Sequence, residues 1–168
     1  MLSQADVIMG ILPLLASLFF PACATSGGAG LPLPGALAPV TIVRPATPNS
    51  ALAAPAGFAP PPDIITPLYR LAAPRLLAAI EAVAASQPRT TLQVAYPAEL
   101  QADYVVRSRA FNFPDLVLVA TEPRGTAEAA LILYSRSVYG SSDFGVNRTR
   151  VSTWLALLDR RLGVSEKR

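Results

Sequence analysis

YSRSVYGSSDFGVNRTRVSTWLALLDRRL, Tyr134 to Leu162, begins as a strand, passes through a turn crowded with Gly, Ser and Asp, and ends as an amphipathic helix. The apolar residues of its second half, Val151, Trp154, Leu155, Leu158 and Leu162, repeat at the spacing of one helix face. Most of the unusual polar residues of the chain lie in the turn, which makes the turn the candidate functional region.

Upstream, Ala130–Ser137 and Leu116–Thr121 are apolar runs of strand length. Glu122-Pro123-Arg124-Gly125-Thr126 between them is a hairpin signal, so the two strands are expected to be antiparallel neighbours. Thr91–Tyr96 and Tyr104–Phe111 read as two more strands. Before them, Pro74 suits the start of a helix whose apolar face is Leu76, Leu77, Ile80, Val83 and Ala84, with a stop near Pro88. Asp63–Tyr69 is expected to be extended, because Pro67 biases Thr66 away from helical angles. The order helix, four strands, helix predicts an α+β fold, an antiparallel sheet of about four strands with both helices on one face. What covers the other face stays open.

Charge placement sets the expected boundaries. Before Asp63 only Asp6 and Arg44 are charged, so a single domain is expected at 63–163, followed by a polar tail at 164–168. Residues 24–62 are rich in Pro, Ala and Gly and read as an extended tether. One piece, Pro48 to Phe58, carries Leu52 and Phe58, either as spacer or as a segment docked on the domain. Residues 1–23 hold the apolar run Val7–Phe20 and end in Cys23, which resembles a lipoprotein signal with Cys23 as the acylated residue. The residues before it, Phe20-Pro21-Ala22, depart from the usual pattern, and no Lys or Arg precedes the apolar run. A cleaved secretory signal and an uncleaved anchor are the alternatives. The net charge of +3 is scattered and points away from nucleic acid as a partner.

The chain has no histidine, one cysteine and one lysine, Lys167 in the tail. A Cys/His zinc site, a Ser-His-Asp triad and a Ser-Lys dyad within the domain therefore lack their residues. No metal or cofactor is expected. Asp143-Phe144-Gly145 matches the kinase magnesium motif in letters only, without a glycine-rich loop or a strand lysine.

The blocks Phe113-Pro114-Asp115, Tyr134-Ser135-Arg136-Ser137, Gly140, Ser142-Asp143-Phe144-Gly145-Val146-Asn147-Arg148 and Arg150 resemble the signature of a bacterial and plastid family, domain of unknown function fourteen-ninety-nine. The resemblance runs from about Pro48 to Leu162. It implies an envelope or membrane-associated protein and brings no activity with it.

Within the turn, Asn147 is the expected N-cap of the last helix, approached through Gly140 and Gly145. Arg148 and Arg150 then fall in the first helical turn, where the helix dipole disfavours positive charge, so an anion is expected nearby. Asp115 and Asp143 supply it from within the protein, as a structural lock. Alternatively, Arg148 and Arg150 converge with Arg107, Arg109 and Arg136 on an external anion or lipid headgroup. Arg107 and Arg109 share one strand face with Phe111, and Tyr134 shares one with Arg136, but the register between these strands is open. A third reading pairs Asp115 with Asp143 as acid and base of a histidine-free hydrolase or transferase. The aromatic residues Tyr69, Tyr96, Phe111, Phe113, Tyr134, Tyr139, Phe144 and Trp154 are expected to serve packing. The reading as a whole is a non-catalytic binding or structural domain of the cell envelope. It is expected outside the cytoplasm, anchored at the membrane or secreted, with an anionic ligand or an envelope protein as partner.

Overall fold

The hairpin expected around Gly125 forms the middle of the sheet. In a computed structural model that describes residues 41–109 and 112–164, β5 (Pro114–Pro123) and β6 (Ala129–Ser137) pair antiparallel from Asp115↔Ser137 to Pro123↔Ala129. Their centres are apolar on both sides. Val117, Val119, Leu131 and Leu133 face one core, while Leu118, Ala120, Ile132 and Tyr134 face another.

The sheet has six strands, in the order β2-β1-β6-β5-β4-β3. β3 (Thr90–Tyr96) and β4 (Gln101–Arg107) continue it antiparallel on the β5 side, joined by a 3₁₀ turn at Pro97–Glu99. On the β6 side lie β1 (Ser50–Pro55), antiparallel to β6, and the three-residue β2 (Ile64–Thr66), parallel to β1. The expected architecture is thus corrected in two respects: the sheet is six-stranded rather than four-stranded, and it is mixed rather than wholly antiparallel.

The two added strands precede the first helix. β1 lies inside the stretch read as tether, and Leu52 at its centre is fully buried. Small residues make this possible. Ala51 and Ala53 face the helices and Leu52 and Ala54 face away, so β1 sits between two packed layers where bulkier side chains would force its neighbours apart. The domain therefore starts before Asp63, with Ile42 already in the second core.

Both helices pack on one face, as expected. α1 (Ala73–Ser86) carries Pro74 in its first turn and buries Ala73, Leu76, Leu77, Ile80, Val83 and Ala84. It stops where Gln87, ahead of Pro88, turns extended. α2 (Val146–Leu162) buries Val151, Trp154, Leu155 and Leu158 and ends at Gly163, whose φ of +66° closes the last turn. Trp154 meets Tyr104 edge-on, with ring centroids 6.0 Å apart. The opposite face is covered at its β1 and β6 end by Ile42 and Phe58, over Leu52, Ala54, Leu118 and Ala120.

Residues 1–40, which hold the expected signal, Cys23 and most of the tether, lie outside the described residues, as do Phe111 and residues 165–168. Among the described residues, no helix is long and apolar enough to cross a membrane.

Candidate functional site

Where α2 begins, β5 starts and β6 ends, and the eight arginine, aspartate and asparagine residues singled out in the sequence fall into separate groups.

The first group is a buried lock on the helix side of the sheet. Arg150 donates from Nη2 to Asp115 Oδ2 at 2.6 Å, and only 10% and 7% of the two side chains are exposed. Its Nη1 donates to Ser135 Oγ at 2.8 Å and to Asn147 Oδ1 at 2.6 Å, and Ser135 Oγ in turn donates to Asn147 Oδ1 at 2.5 Å. The Asn147 amide nitrogen donates to the Asn49 carbonyl at 3.0 Å and to Ser137 Oγ at 2.9 Å. Asn49 closes the circuit by donating from Nδ2 to the Gly140 carbonyl at 2.8 Å. Asn147 is fully buried, so this network satisfies a side chain that would otherwise be expensive to hide.

Asn147 is therefore not the N-cap. Gly145 holds that position at a φ of +81°, and Asn147 is the second residue of α2, its carboxamide committed to the sheet. Capping falls to Asp143, whose carboxylate accepts the backbone N–H of Gly145 at 2.9 Å and of Asn147 at 2.8 Å. Partial burial alone would raise the Asp143 carboxyl, but the N–H groups of Asn147 and Gly145 outweigh it and hold the carboxyl below its ordinary value. Asp115 and Asp143 are thus occupied in different tasks, an ion pair and a helix cap, and no arrangement of the two favours acid and base chemistry.

The second group is a rim of exposed side chains at the same end. Phe144 is 96% exposed, at a φ of +53°, while Tyr139 and Phe113 are 59% and 53% exposed and touch ring to ring at 6.2 Å. These three depart from the expectation that the aromatics serve packing, which holds for Tyr69, Tyr134 and Trp154. Arg109 and Arg148 are exposed here too, and Arg89, at the start of β3, brings a further guanidinium that donates to the Asn112 side chain. Arg89, Arg109 and Arg148 make no ion pair among the described residues. Arg107 donates from Nη1 to the Asn112 carbonyl at 2.9 Å and shapes the loop after β4.

The third group lies on the other side of the sheet. The register Arg107↔Pro114 and Leu116↔Arg136 puts Arg107 and Arg136 on one face, away from the helices and from Arg150. The arginines therefore do not converge on a single point. Near Arg136, a small pocket is lined by Asp103, Leu116, Leu118 and Tyr134. Burial pushes the Asp103 carboxyl up to about 6, although the Gln101 side chain, donating to Oδ1 at 3.1 Å, pulls the other way.

Asn49, Ser135, Ser137, Arg89 and Asp103 escaped the sequence reading as site residues. Asp103 had a signal, since it stands between Ala102 and Tyr104 in a run that is otherwise apolar up to Val106. Among the described residues, no three His, Cys, Asp or Glu side chains are grouped as metal ligands.

A locked turn, an aromatic and arginine rim and a small pocket on the sheet face away from the helices characterise this small α+β domain. The profile of the family described as Protein of unknown function (DUF1499) matches residues 43–158, and the chain belongs to that family. None of the curated proteins matches it.

Proposed function

We infer that the protein is a non-catalytic domain of the cell envelope that rests the rim of its sheet on an anionic membrane surface. Its N-terminal segment supplies the anchor, with an acyl group on Cys23. The observation that carries this reading is Phe144. A bulky side chain at positive φ strains the backbone by about 1 kcal/mol or more, and at 96% exposure Phe144 contributes almost nothing to the core in return. Tyr139 and Phe113, and the exposed Arg89, Arg109 and Arg148, add further apolar and basic side chains at the same end of the sheet. That combination suits the boundary between headgroups and acyl chains. The carboxylates at this end, Asp115 on β5 and Asp143 in the turn, are taken up by Arg150 and by backbone N–H groups, so they do little to oppose a negative surface.

The test is sedimentation of the full chain, carrying Cys23→Ser to remove the acyl site, with phosphatidylglycerol vesicles and with phosphatidylcholine vesicles. Binding to the anionic vesicles that weakens with salt, and that falls sharply in Phe144→Ser and in Arg148→Gln, supports the reading. Equal binding to both vesicles, or no effect of either substitution, overturns it.

A further inference from the structure

On the sheet face away from the helices, a buried carboxylate oxygen meets a cavity without a partner. Asp103 and Tyr134 are each 4% exposed, and among the described residues Asp103 Oδ2 has no hydrogen-bond partner, while the Tyr134 hydroxyl is held by the Ser50 side chain on the β1 side. Both line a cavity of about 40 Å³ floored by Leu116 and Leu118, with Arg136 on its wall. Arg136 makes no ion pair among the described residues. Buried polar atoms in folded proteins are nearly always satisfied, so the free Asp103 oxygen at this cavity calls for a donor from outside.

The register sets the shape of that visitor. Asp103 pairs with Leu118 and Leu118 with Tyr134, whereas Leu116 pairs with Arg136. Asp103 and Arg136 are therefore two strands and two residues apart, about 12 Å between Cα atoms at ordinary sheet spacings. The reach of the two side chains leaves a span of about three to five chain atoms between groups that would pair with them. Leu116, Leu118 and the Tyr134 ring make the ground between them apolar.

We propose that this pocket binds a small zwitterion, with an ammonium group on Asp103, an acidic group on Arg136, and a short alkyl chain over Leu116, Leu118 and the Tyr134 ring. The chemistry is shared by a free ω-amino acid and by the headgroup of an ethanolamine lipid. The site is separate from the rim of Phe144 and Arg148 and does not depend on membrane binding there.

Calorimetric titration of the full chain with 5-aminopentanoate, pentanoate and pentylammonium tests the proposal. The zwitterion is expected to bind about ten- to a hundredfold more tightly than either half-molecule, the value of one charge-assisted hydrogen bond. Asp103→Asn removes its advantage over pentanoate, Arg136→Gln removes its advantage over pentylammonium, and melting curves show that both variants fold. Competition by O-phosphoethanolamine, with an ethanolamine lipid among the molecules released on denaturing protein from its own membrane, assigns the lipid source. Release of a free amino acid assigns the soluble one. Equal affinity for all three probes, or an unchanged preference in both variants, overturns the proposal.

Discussion

Arg150 on α2 and Asp115 on β5 meet at 2.6 Å with less than an eighth of either side chain in water. They join the second turn of the last helix to the first residues of a central strand. Removing one partner leaves the other charge buried and uncompensated, which costs about 3–5 kcal/mol. Arg150→Ala and Asp115→Ala should each lower stability by that order, read as a shift in the urea midpoint at constant slope. The double variant should lose less than the sum of the two, because no stranded charge remains. Additive losses would show that the pair is not the unit that holds α2.

Asn147 makes the same joint in neutral chemistry. Its amide nitrogen donates to Asn49 and Ser137 while its oxygen accepts from Ser135 and Arg150. Asn147→Asp keeps the shape and replaces the two donors with an oxygen facing the Asn49 carbonyl. A loss of about 2–4 kcal/mol is expected, larger than that of Asn147→Ala if repulsion outweighs the missing contacts. Amide hydrogen exchange should quicken at Ser137, whose N–H binds the Asn49 carbonyl at 2.9 Å. Unchanged exchange there would separate Asn147 from the β1 and β6 joint.

Asp143 gives the turn a pH dependence. Its folded pKa lies below the ordinary value of 3.8, so its contribution is present above that value and is lost as the pH falls through the lower folded one. Asp143→Asn should cost about 1 kcal/mol at pH 7, a typical cap. The difference between parent and variant should shrink on acidification below about pH 4. A difference that holds constant down to pH 2 would mean that the carboxylate charge plays no part.

Asp103 has the opposite sign. Its carboxyl is pushed up to about 6 in the folded protein from an ordinary 3.8, so between these values the folded state holds more protons than the unfolded one. Stability therefore falls as the pH rises from about 4 to about 6, and stays at the lower level above. Asp103→Asn removes the burial penalty and should stabilise the protein at pH 7 by about 1–3 kcal/mol, with a flatter profile over that window. A variant less stable than its parent at pH 7 would show that Asp103 is paired by a group that holds its charge.

The sequence shows the helices and the hairpin because their signals are local. Leu76, Leu77, Ile80 and Val83 repeat at helical spacing, and Gly125 marks the turn, whatever the rest of the chain does. The need of Arg150 for an anion is local too, since it follows from the direction of α2. The pocket is not local. Asp103 and Arg136 belong to strands that β5 separates, and only the pairing of both with β5 brings them to one face. β1 is hidden for another reason. Ser-Ala-Leu-Ala-Ala-Pro has no β-branched or aromatic residue, and its small side chains, which suit a strand packed on both faces, look like a linker when read alone.

The position of β1 makes the boundary at Asp63 testable. A chain beginning at Asp63 lacks the strand that pairs with β6 from Ser50↔Arg136 to Ala53↔Leu133, and it exposes one side of both cores. It also lacks Asn49, whose carbonyl accepts from Asn147 and from the Ser137 backbone. Such a chain should show no cooperative melt, whereas one beginning at Thr41 should melt as the full chain does. Within the full chain, Leu52→Ala removes a fully buried side chain from the second core and should cost about 2–5 kcal/mol. Val43→Ala, at a neighbouring position that is 86% exposed, should cost less than about 0.5 kcal/mol. A cooperative melt from the chain that begins at Asp63 would make β1 an accessory to the fold, and the small cost of Leu52→Ala that follows from it would confirm that role.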